Sequence, residues 1–404
     1  MSSNVCCEGY SRPWVCTQCG VCAAMCPQNA LTMKPSGLGY RYPELEAERC
    51  TSCGICTAVC PGPRLTADAD RSRPTDSDQI YGPIESLGLG WAADGELRLS
   101  ASSGGLVTAL LMSMLKAGTV RGAVVTDLGA EGCMPRTRLA RTPEEILEAR
   151  GSKYMITSLD DAIREMIGGE QGPFAVVGMP CQIRGLRGAM QHSNELGSSI
   201  SLCVSLFCGG TKDYRYRSLL VNKMGLDGSD LVQFAFRGGG WPGEMSGQDG
   251  AGRVGTLTGY DRQLGRIWAG ARLTPPRCLL CDDPLGAAAD IAVGDPWRID
   301  DDRDGPGRSL FLARTRVGAR AIDRAHESGA IGVDESIAQS DVIRSAEGIL
   351  WRRYYAPSRV GLAALWARAW RRISRETSKP SLGLMARAAR AFALSRLGGG
   401  GRQP

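Results

Sequence analysis

Short runs of apolar residues recur along the middle of the chain, each bounded by glycine, proline or polar residues. Four of them predict buried strands: GAVVTD at 122–127, FAVVG at 174–178, ISLCVSLFC at 200–208 and DIAVGD at 290–295. Continuous apolar runs of this length are typical of strands that are covered on both faces. Segments of helical character alternate with them, so the pattern predicts an α/β (α+β) fold with a mostly parallel or mixed sheet.

Two glycine-containing stretches lie near the start of this pattern. The turn Ser102-Ser103-Gly104-Gly105 leads into LVTALLMSMLKAG, which predicts a helix with a serine cap and with Gly118 just past its end. The stretch 88–93, GLGWAA, fits the G-x-G-x-x-A spacing of dinucleotide-binding turns, but Asp94-Gly95 follows at once. We therefore interpret 88–93 as a strand that runs into a hairpin turn, with no helix opening there.

The N-terminal part of the chain contains an internal repeat, CTQCGVCAAMCP at 16–27 and CTSCGICTAVCP at 50–61. The spacing C-x2-C-x2-C-x3-C-P is typical of paired [4Fe–4S] clusters, in which three thiolates hold one cluster and the fourth ligates the other. Gly20 and Gly54 leave room for the loop to wrap around sulfur. Zinc sites use two-plus-two spacing and fit this pattern poorly. The predicted ligands are Cys16, Cys19, Cys22 and Cys60 for one cluster, and Cys50, Cys53, Cys56 and Cys26 for the second.

The remaining composition narrows the chemistry. The chain has 404 residues, sixteen cysteines and two histidines, so histidine-based acid–base catalysis is a poor expectation. The first residues, MSSNVCCEGYSRPW, lack the pattern of a signal peptide, and no run of 18 apolar residues predicts a membrane span. We therefore expect a cytoplasmic protein whose reduced, clustered cysteines bind metal.

Six cysteines lie beyond residue 80. Cys181 follows a predicted strand, Cys208 ends another, and Cys278 and Cys281 have metal-ligand spacing. Strand ends converge at one edge of an α/β sheet, so these four could hold a third [4Fe–4S] cluster. From spacing alone, four unrelated buried cysteines or a redox disulfide fit equally well. Cys203 lies within a strand and is expected to be a core residue.

Positive charge is concentrated at the C-terminal end. From Arg344 onward there are thirteen Lys/Arg and two acidic residues, and five aromatic residues between 351 and 370 accompany them. The pattern predicts a basic helical tail over 346–404. It could pack on the body, contact an anionic membrane surface at the inner face, or dock an acidic partner. No nucleic-acid binding is expected, because no other part of the chain suggests it.

Six short motifs occur in order along the body: SSGGLVTALL at 102–111, GSKY at 151–154, GMPCQI at 178–183, FCG at 207–209, CLLCD at 278–282 and ADIAVGDPW at 289–297. With these motifs the body resembles the beta subunits of coenzyme F420 hydrogenases and dehydrogenases. The resemblance covers about residues 80–345 and, with the N-terminal segment, about four fifths of the chain.

The resemblance implies a noncovalent FAD, a third [4Fe–4S] cluster on Cys181, Cys208, Cys278 and Cys281, and hydride exchange with a deazaflavin or reduction of another organic substrate. A flavin also follows from the chemistry, because clusters carry single electrons whereas hydride carriers need two. The candidate flavin-binding residues are Ser102, Ser103, Gly104, Gly105, Thr108, Lys153 and Gln182.

These candidates have defined roles. The Ser102–Gly105 turn would offer free N–H groups and the positive end of a helix dipole to a diphosphate; the alternative is a plain helix cap. Lys153, the candidate catalytic residue, would place its charge near the flavin N1; the alternative is a solvated lysine.

The expected domains are a 2[4Fe–4S] ferredoxin-type domain at 1–63, a linker at 64–80, the FAD and cluster-binding body at 81–345, and the tail. We expect an iron–sulfur flavoprotein oxidoreductase that uses coenzyme F420 or a similar two-electron carrier, with a ferredoxin or another redox protein as partner. The alternatives are a ferredoxin-dependent reductase of another organic substrate and a non-catalytic electron-transfer subunit.

Overall fold

A computed structural model describes residues 15–62, 82–129, 133–169, 172–258, 273–299 and 305–350. The chain divides into two units, Met1–Ala356 and Pro357–Pro404, and everything described below belongs to the first. The predicted linker and residues 351–404 of the predicted basic tail lie outside the described residues.

The N-terminal segment folds as two similar loops around one hairpin. Its elements are α1 (Val21–Ala24), β1 (Leu31–Pro35), β2 (Arg41–Leu45), a 3-10 helix (Ala47–Arg49) and α2 (Ile55–Ala58). The two strands pair antiparallel. Each short helix begins after a left-handed glycine, Gly20 with φ 79° and Gly54 with φ 78°. Other residues adopt such angles only with strain, so the repeated Cys-Gly pair produces the same local turn twice.

The body is built on an eight-stranded mixed sheet within the described residues. Its strands are β3 (Ser86–Ala92), β4 (Gly122–Leu128), β5 (Pro135–Ala140), β6 (Phe174–Gly178), β7 (Ile200–Leu206), β11 (Ile291–Gly294), β12 (Ser309–Ala313) and β13 (Ile331–Asp334), in the order β13-β3-β12-β11-β7-β6-β4-β5. The four strands predicted from the apolar runs are β4, β6, β7 and β11, and these are the neighbours that pair in parallel. The α/β fold class is therefore confirmed.

Helices cover both faces of this sheet. They are α3 (Gly95–Ser100), α4 (Leu106–Lys116), α5 (Pro143–Glu148), α6 (Asp160–Gly168), α7 (Pro180–His192), α8 (Asn194–Ser199), α9 (Tyr214–Lys223) and α10 (Arg316–Glu327), and residues 339–350 are also helical. Consecutive strand residues point to opposite faces. Val125 and Val204 accordingly pack with α4 and α10, whereas Val124 and Cys203 pack with α6 and α7. Cys203 is fully buried there, as expected of a core residue.

A second sheet of three antiparallel strands stands beside the main one. It comprises β8 (Leu231–Ala235), β9 (Glu244–Asp249) and β10 (Val254–Thr258). Phe234 and the neighbouring Phe236 pack with Tyr216 and Leu220 of α9. The sheet positions the loop between β8 and β9, which enters one of the sites described below.

Two local predictions near β3 were wrong. Residues 88–92 are in a strand, but a helix and not a hairpin turn follows, because the side chain of Asp94 accepts a hydrogen bond from Leu97 N and caps α3. The predicted serine cap of α4 is also wrong. Its N-cap is Gly105, with φ 72° and no side-chain cap within the described residues. The position of Gly118 is confirmed, since it follows the C-cap Ala117 with φ 66°.

Candidate iron–sulfur and cofactor sites

The structure places the four ligands predicted for the second cluster around one cavity of about 300 Å³, which includes space open to solvent. Cys53 is exposed and Cys56 is buried, so the cavity reaches from the protein surface into the segment. Leu31 and Leu45 line its apolar wall. The cysteines that line it are Cys26, Cys50, Cys53 and Cys56.

The ligands predicted for the first cluster lie deeper. Cys16, Cys19 and Cys22 are all buried. Burial, with a smaller contribution from Cys60, raises the pKa of the Cys19 thiol to about 11. Cys60 is therefore near enough to affect the charge of Cys19 although 41 positions separate them in the sequence, which is consistent with the predicted crossed ligand pattern. A thiol must lose its proton to bind iron. The free energy of metal binding would therefore have to exceed the cost of placing a thiolate in this buried position.

The four cysteines proposed for a third cluster line a single cleft of about 790 Å³, which includes space open to solvent. Cys181 is the second residue of α7, directly after β6, and Cys208 follows the end of the adjacent parallel strand β7. Cys278 lies in a 3-10 helix (Pro276–Leu280), and Cys281 follows it. Cys16 of the N-terminal motif lines the same cleft.

Charged residues surround this cleft. Arg184 lies 3.4 Å from Asp282 and 3.3 Å from Asp283, which ties α7 to the loop carrying Cys281. Burial raises the pKa of the Cys281 thiol to about 12, and the positive charge of Arg277 opposes that rise. Arg277 is 4% exposed, and its Nη2 atom has no hydrogen-bond partner among the described residues. An unpaired buried donor of this kind fits an anionic group in the cleft.

The described residues contain no group of three His, Cys, Asp or Glu side chains arranged for a single metal ion. Iron–sulfur clusters are therefore inferred from the spacing of the cysteines in the motif and from the cysteines that line each cavity. The assignment of individual ligands remains a prediction.

The N-terminal segment packs directly on the body. Leu159 N donates a hydrogen bond of 2.9 Å to Cys19 O. Arg164 of α6 donates to the carbonyl oxygens of Ala23 and Leu31 at 3.0 and 3.1 Å. A Cβ atom on Gly185 of α7 would lie 3.3 Å from Cys19 Sγ, so glycine allows this helix to approach the first cluster site closely.

A second group of predicted residues lies at the start of α4. Ser102 Oγ accepts a 2.6 Å hydrogen bond from Ser152 N, and Ser103 Oγ donates to Arg308 O at 2.5 Å. Gly104 N donates to Ser309 Oγ at 3.0 Å and is thus already occupied. The first turn of α4 has no side-chain cap, so its amide groups, and not Gly104, are the candidates for binding a phosphate.

Lys153 lies next to this turn and is partly buried. Its ammonium group donates to the carbonyl oxygens of Ala149, Arg150 and Gly151 at distances of 2.5–3.0 Å. Burial lowers the pKa of Lys153 to about 7, while Asp127 acts in the opposite direction. The solvated-lysine alternative does not describe this environment. A role beside flavin N1 remains a prediction.

The sequence analysis missed two residues at this site, Arg237 and Trp241. Arg237 forms a 2.7 Å ion pair with Asp295 and donates to Pro242 O at 3.0 Å, yet its buried Nη2 has no partner among the described residues. The buried Nε1 of Trp241 also lacks a hydrogen-bond partner within the described ranges. The run GGGWPG at 238–243, with several glycines of positive φ, was the available signal for a shaped loop.

This loop contacts the start of α4 closely. A Cβ atom on Gly307 would lie 2.7 Å from both Ser103 O and Trp241 Cβ, so Gly307 fills a narrow gap between the two loops. The two unpaired donors on Arg237 and Trp241 make this region suitable for a bound group with hydrogen-bond acceptors.

The segment 151–157 connects the two sites. At one end Ser152 N binds Ser102, and at the other Ile156 and Thr157 line the cysteine cleft. Gln182 belongs to the cysteine cleft, because its amide binds Thr157 and Met179 N. Thr108 lies on the first turn of α4 and is half-buried. Gln182 lines the cysteine cleft, whereas the other predicted flavin residues are not among the residues that line it.

Family models match most of the described chain. The N-terminal model of the coenzyme F420 hydrogenase/dehydrogenase beta subunit matches residues 88–164, and the C-terminal model of the same subunit matches residues 172–338. The chain belongs to the coenzyme F420 hydrogenase/dehydrogenase beta subunit family. A 4Fe-4S dicluster domain model matches residues 15–62. Both resemblances seen in the sequence are confirmed.

Two named relatives align with more than half of this chain. Coenzyme F420-dependent sulfite reductase of Methanocaldococcus jannaschii is 28% identical over 255 residues, which are 59% of this chain and 37% of that protein. Coenzyme F420 hydrogenase subunit beta of Methanothermobacter thermautotrophicus is 28% identical over 260 residues, 62% of this chain and 84% of that subunit. The chain therefore spans well under two thirds of the sulfite reductase.

A solved structure shares the fold of the family. A chain of the F420-reducing [NiFe] hydrogenase complex from Methanosarcina barkeri superposes with a TM-score of 0.53 at 23% identity, covering 68% of this chain and 92% of that chain. Within the described ranges, no helix combines the length and apolarity needed to cross a bilayer.

Proposed function

We propose that this chain is an iron–sulfur flavoprotein oxidoreductase that passes electrons between [4Fe–4S] clusters and, through FAD, coenzyme F420 or a similar two-electron carrier. The observation that carries the proposal is the shared cleft, which is lined by Cys16 of the N-terminal motif and by the four body cysteines. Ligands of two clusters on one cleft would make those clusters neighbours. The N-terminal segment would then extend the electron path from the body to the surface at Cys53.

The second site supports FAD as the two-electron partner. When bound, a flavin exchanges single electrons with clusters and electron pairs with hydride carriers. The first turn of α4 would hold the diphosphate, and Arg237 and Trp241 would donate to polar edges of the cofactor. The segment 151–157 would separate the flavin from the cysteine cleft by only a few residues.

Anaerobic purification tests the cofactor content. The native protein should contain about twelve irons, four per cluster, and should release about one FAD on denaturation. Cys181→Ala should lose about four of these irons, whereas Cys203→Ala, which changes a core cysteine outside the cleft, should keep all of them. A protein with eight irons, unchanged by Cys181→Ala, contradicts the third cluster. A fully iron-loaded protein without flavin contradicts FAD.

The substrate is tested by turnover. The native protein should reduce or oxidise coenzyme F420 with an artificial one-electron dye, because both sites lie in one unit of the chain. A second candidate is a ferredoxin-fed reductase of another organic substrate; the name of the sulfite reductase supports only the part of it that concerns a substrate other than coenzyme F420. Activity with reduced ferredoxin and not with coenzyme F420 would identify that candidate. Intact cofactors without turnover of either would indicate an electron-transfer subunit of a larger complex.

A further inference from the structure

Arg277 occupies an unusual position beside the cysteine cleft. It lies in the 3-10 helix Pro276–Leu280, immediately before Cys278, and it lines the cleft while remaining 4% exposed. Its Nη2 atom is buried and has no hydrogen-bond partner among the described residues. A buried donor on a charged group is costly unless it meets an acceptor, so this atom points to a ligand that carries negative charge.

Arg184, the second cationic side chain among the described residues that line the cleft, already has carboxylate partners. Arg184 lies within 3.4 Å of Asp282 and 3.3 Å of Asp283, so its charge is balanced by carboxylates. Arg277 thus differs from Arg184 in having a free buried donor. Four thiolates around an iron–sulfur cube would supply the acceptor, and addition of an electron would increase its negative charge.

We propose that Arg277 is the residue that sets the reduction potential of the third cluster, by donating a hydrogen bond and positive charge to it. The inference rests on the proposed function, since it requires that cluster. Reduction adds one electron to the cluster and no proton; the electron comes from a neighbouring cluster or from a chemical reductant. Arg277 stabilises the reduced form more than the oxidised form, because the reduced form is more negative, and so raises the potential.

The test is a redox titration of the native protein followed by electron paramagnetic resonance. The signal of the third cluster is identified by its loss in Cys181→Ser. In Arg277→Met, which removes charge and donors at similar size, we expect the equilibrium constant for reduction to fall about tenfold. That corresponds to a shift of ~59 mV to more negative potential for a one-electron couple. Arg277→Lys, which keeps the charge, should restore part of the shift.

The chain offers a matched control in Arg49. This arginine also directly precedes a predicted ligand, Cys50, but its side chain is 51% exposed and lies 3.3 Å from Glu46. Solvent and Glu46 screen its charge, so Arg49→Met should change the equilibrium constant of the second cluster by less than twofold. A shift of that small size in Arg277→Met would overturn the proposal.

A second measurement uses the native protein labelled with [15N]arginine. Pulsed electron paramagnetic resonance should detect hyperfine coupling between the reduced third cluster and a guanidinium nitrogen. This coupling should be absent in Arg277→Lys. This result decides the proposal even if Arg277→Met fails to retain the cluster, and a native spectrum without coupling overturns it. If Cys181→Ser removes neither iron nor a signal, the proposed third cluster itself is wrong. A cluster that is present but insensitive to Arg277 refutes only the present inference.

Discussion

The two copies of the cysteine motif provide a matched pair of glycines that tests how the N-terminal segment docks. Gly20 and Gly54 have nearly the same φ, 79° and 78°. A Cβ atom on Gly20 would lie 2.2 Å from Ser158 Oγ and 2.9 Å from Asp160 N, whereas on Gly54 the nearest atom would be Thr57 Oγ1 at 4.0 Å. Replacement by alanine therefore introduces the same backbone strain in both copies but a clash in only one.

The expected energies follow from these contacts. A left-handed alanine costs about 1–2 kcal/mol, which applies to both Gly20→Ala and Gly54→Ala. Overpacking adds about 1–3 kcal/mol to Gly20→Ala alone. The clash includes a backbone atom of Asp160, the first residue of α6, so rotation of a side chain cannot relieve it. The difference between the two variants should thus be about 1–3 kcal/mol, all of it acting on the contact with the body.

Hydrogen exchange at Leu159 measures this difference directly, because its amide donates across the contact to Cys19 O. In Gly20→Ala the local opening constant at Leu159 should exceed that of Gly54→Ala by roughly 5- to 140-fold. Iron content should be measured in both variants, so that a change in docking is not confused with cluster loss. Equal exchange at Leu159 in two fully loaded variants would refute the argument that the first copy is the docking surface.

Two further predictions concern Lys153 and Arg237 of the candidate flavin site. Burial lowers the pKa of Lys153 from 10.5 to about 7. Between pH 7 and pH 10.5 the folded chain therefore binds fewer protons at this group than the unfolded chain does. The contribution of Lys153 to the free energy of unfolding consequently rises with pH across that window. The rate of amine labelling at Lys153 should have a midpoint near pH 7, against a far more alkaline one at Lys34, and equal midpoints would contradict the burial effect. Asp295→Asn leaves Arg237 without its ion-pair partner and should lower the free energy of unfolding in urea by about 3–5 kcal/mol. The more exposed control Asp334→Asn, which breaks a partly exposed ion pair with Arg308, should cost less than about 1 kcal/mol, and similar losses in both would show that the Arg237 pair is not effectively buried.

The elements that could be predicted from the sequence are those whose pattern lies within a few consecutive residues. FAVVG at 174–178 coincides with β6, because a strand buried on both faces needs a continuous apolar run between turn residues. The polar edge strand β5, with the sequence PRTRLA, and the mixed strands β8 to β10 lack such a run and were not predicted. The helix after β3 was missed because Asp94-Gly95 suits both a hairpin turn and a helix cap.

The candidate sites likewise contain residues that a local sequence pattern predicts and residues that it does not. The cysteine spacing of the N-terminal motif is local, so the sequence suffices to group those residues. Arg277 and Arg237 become informative only when burial leaves a donor unpaired, and burial depends on elements far away in the sequence. That Gln182 lines the cysteine cleft and Ser102 does not likewise depends on how residues 151–157 run between the two sites, and no local sequence pattern shows it.

The unequal surroundings of the two repeats have an evolutionary consequence. The first copy is held by α6 and α7, with Gly20 and Cys19 in contact with the body, whereas Cys53 and the residues beside it face outward. Substitutions in the first copy must be matched by changes in the body, whereas in the second copy this applies to its inner residues, such as Val59 against Gly188 of α7, and much less to the residues around Cys53. The duplicated motif therefore has an inner half that must fit the body and an outer half, around Cys53, that the body constrains less. Exchange of the outer half between homologues would then be the simplest route to a new electron donor or acceptor.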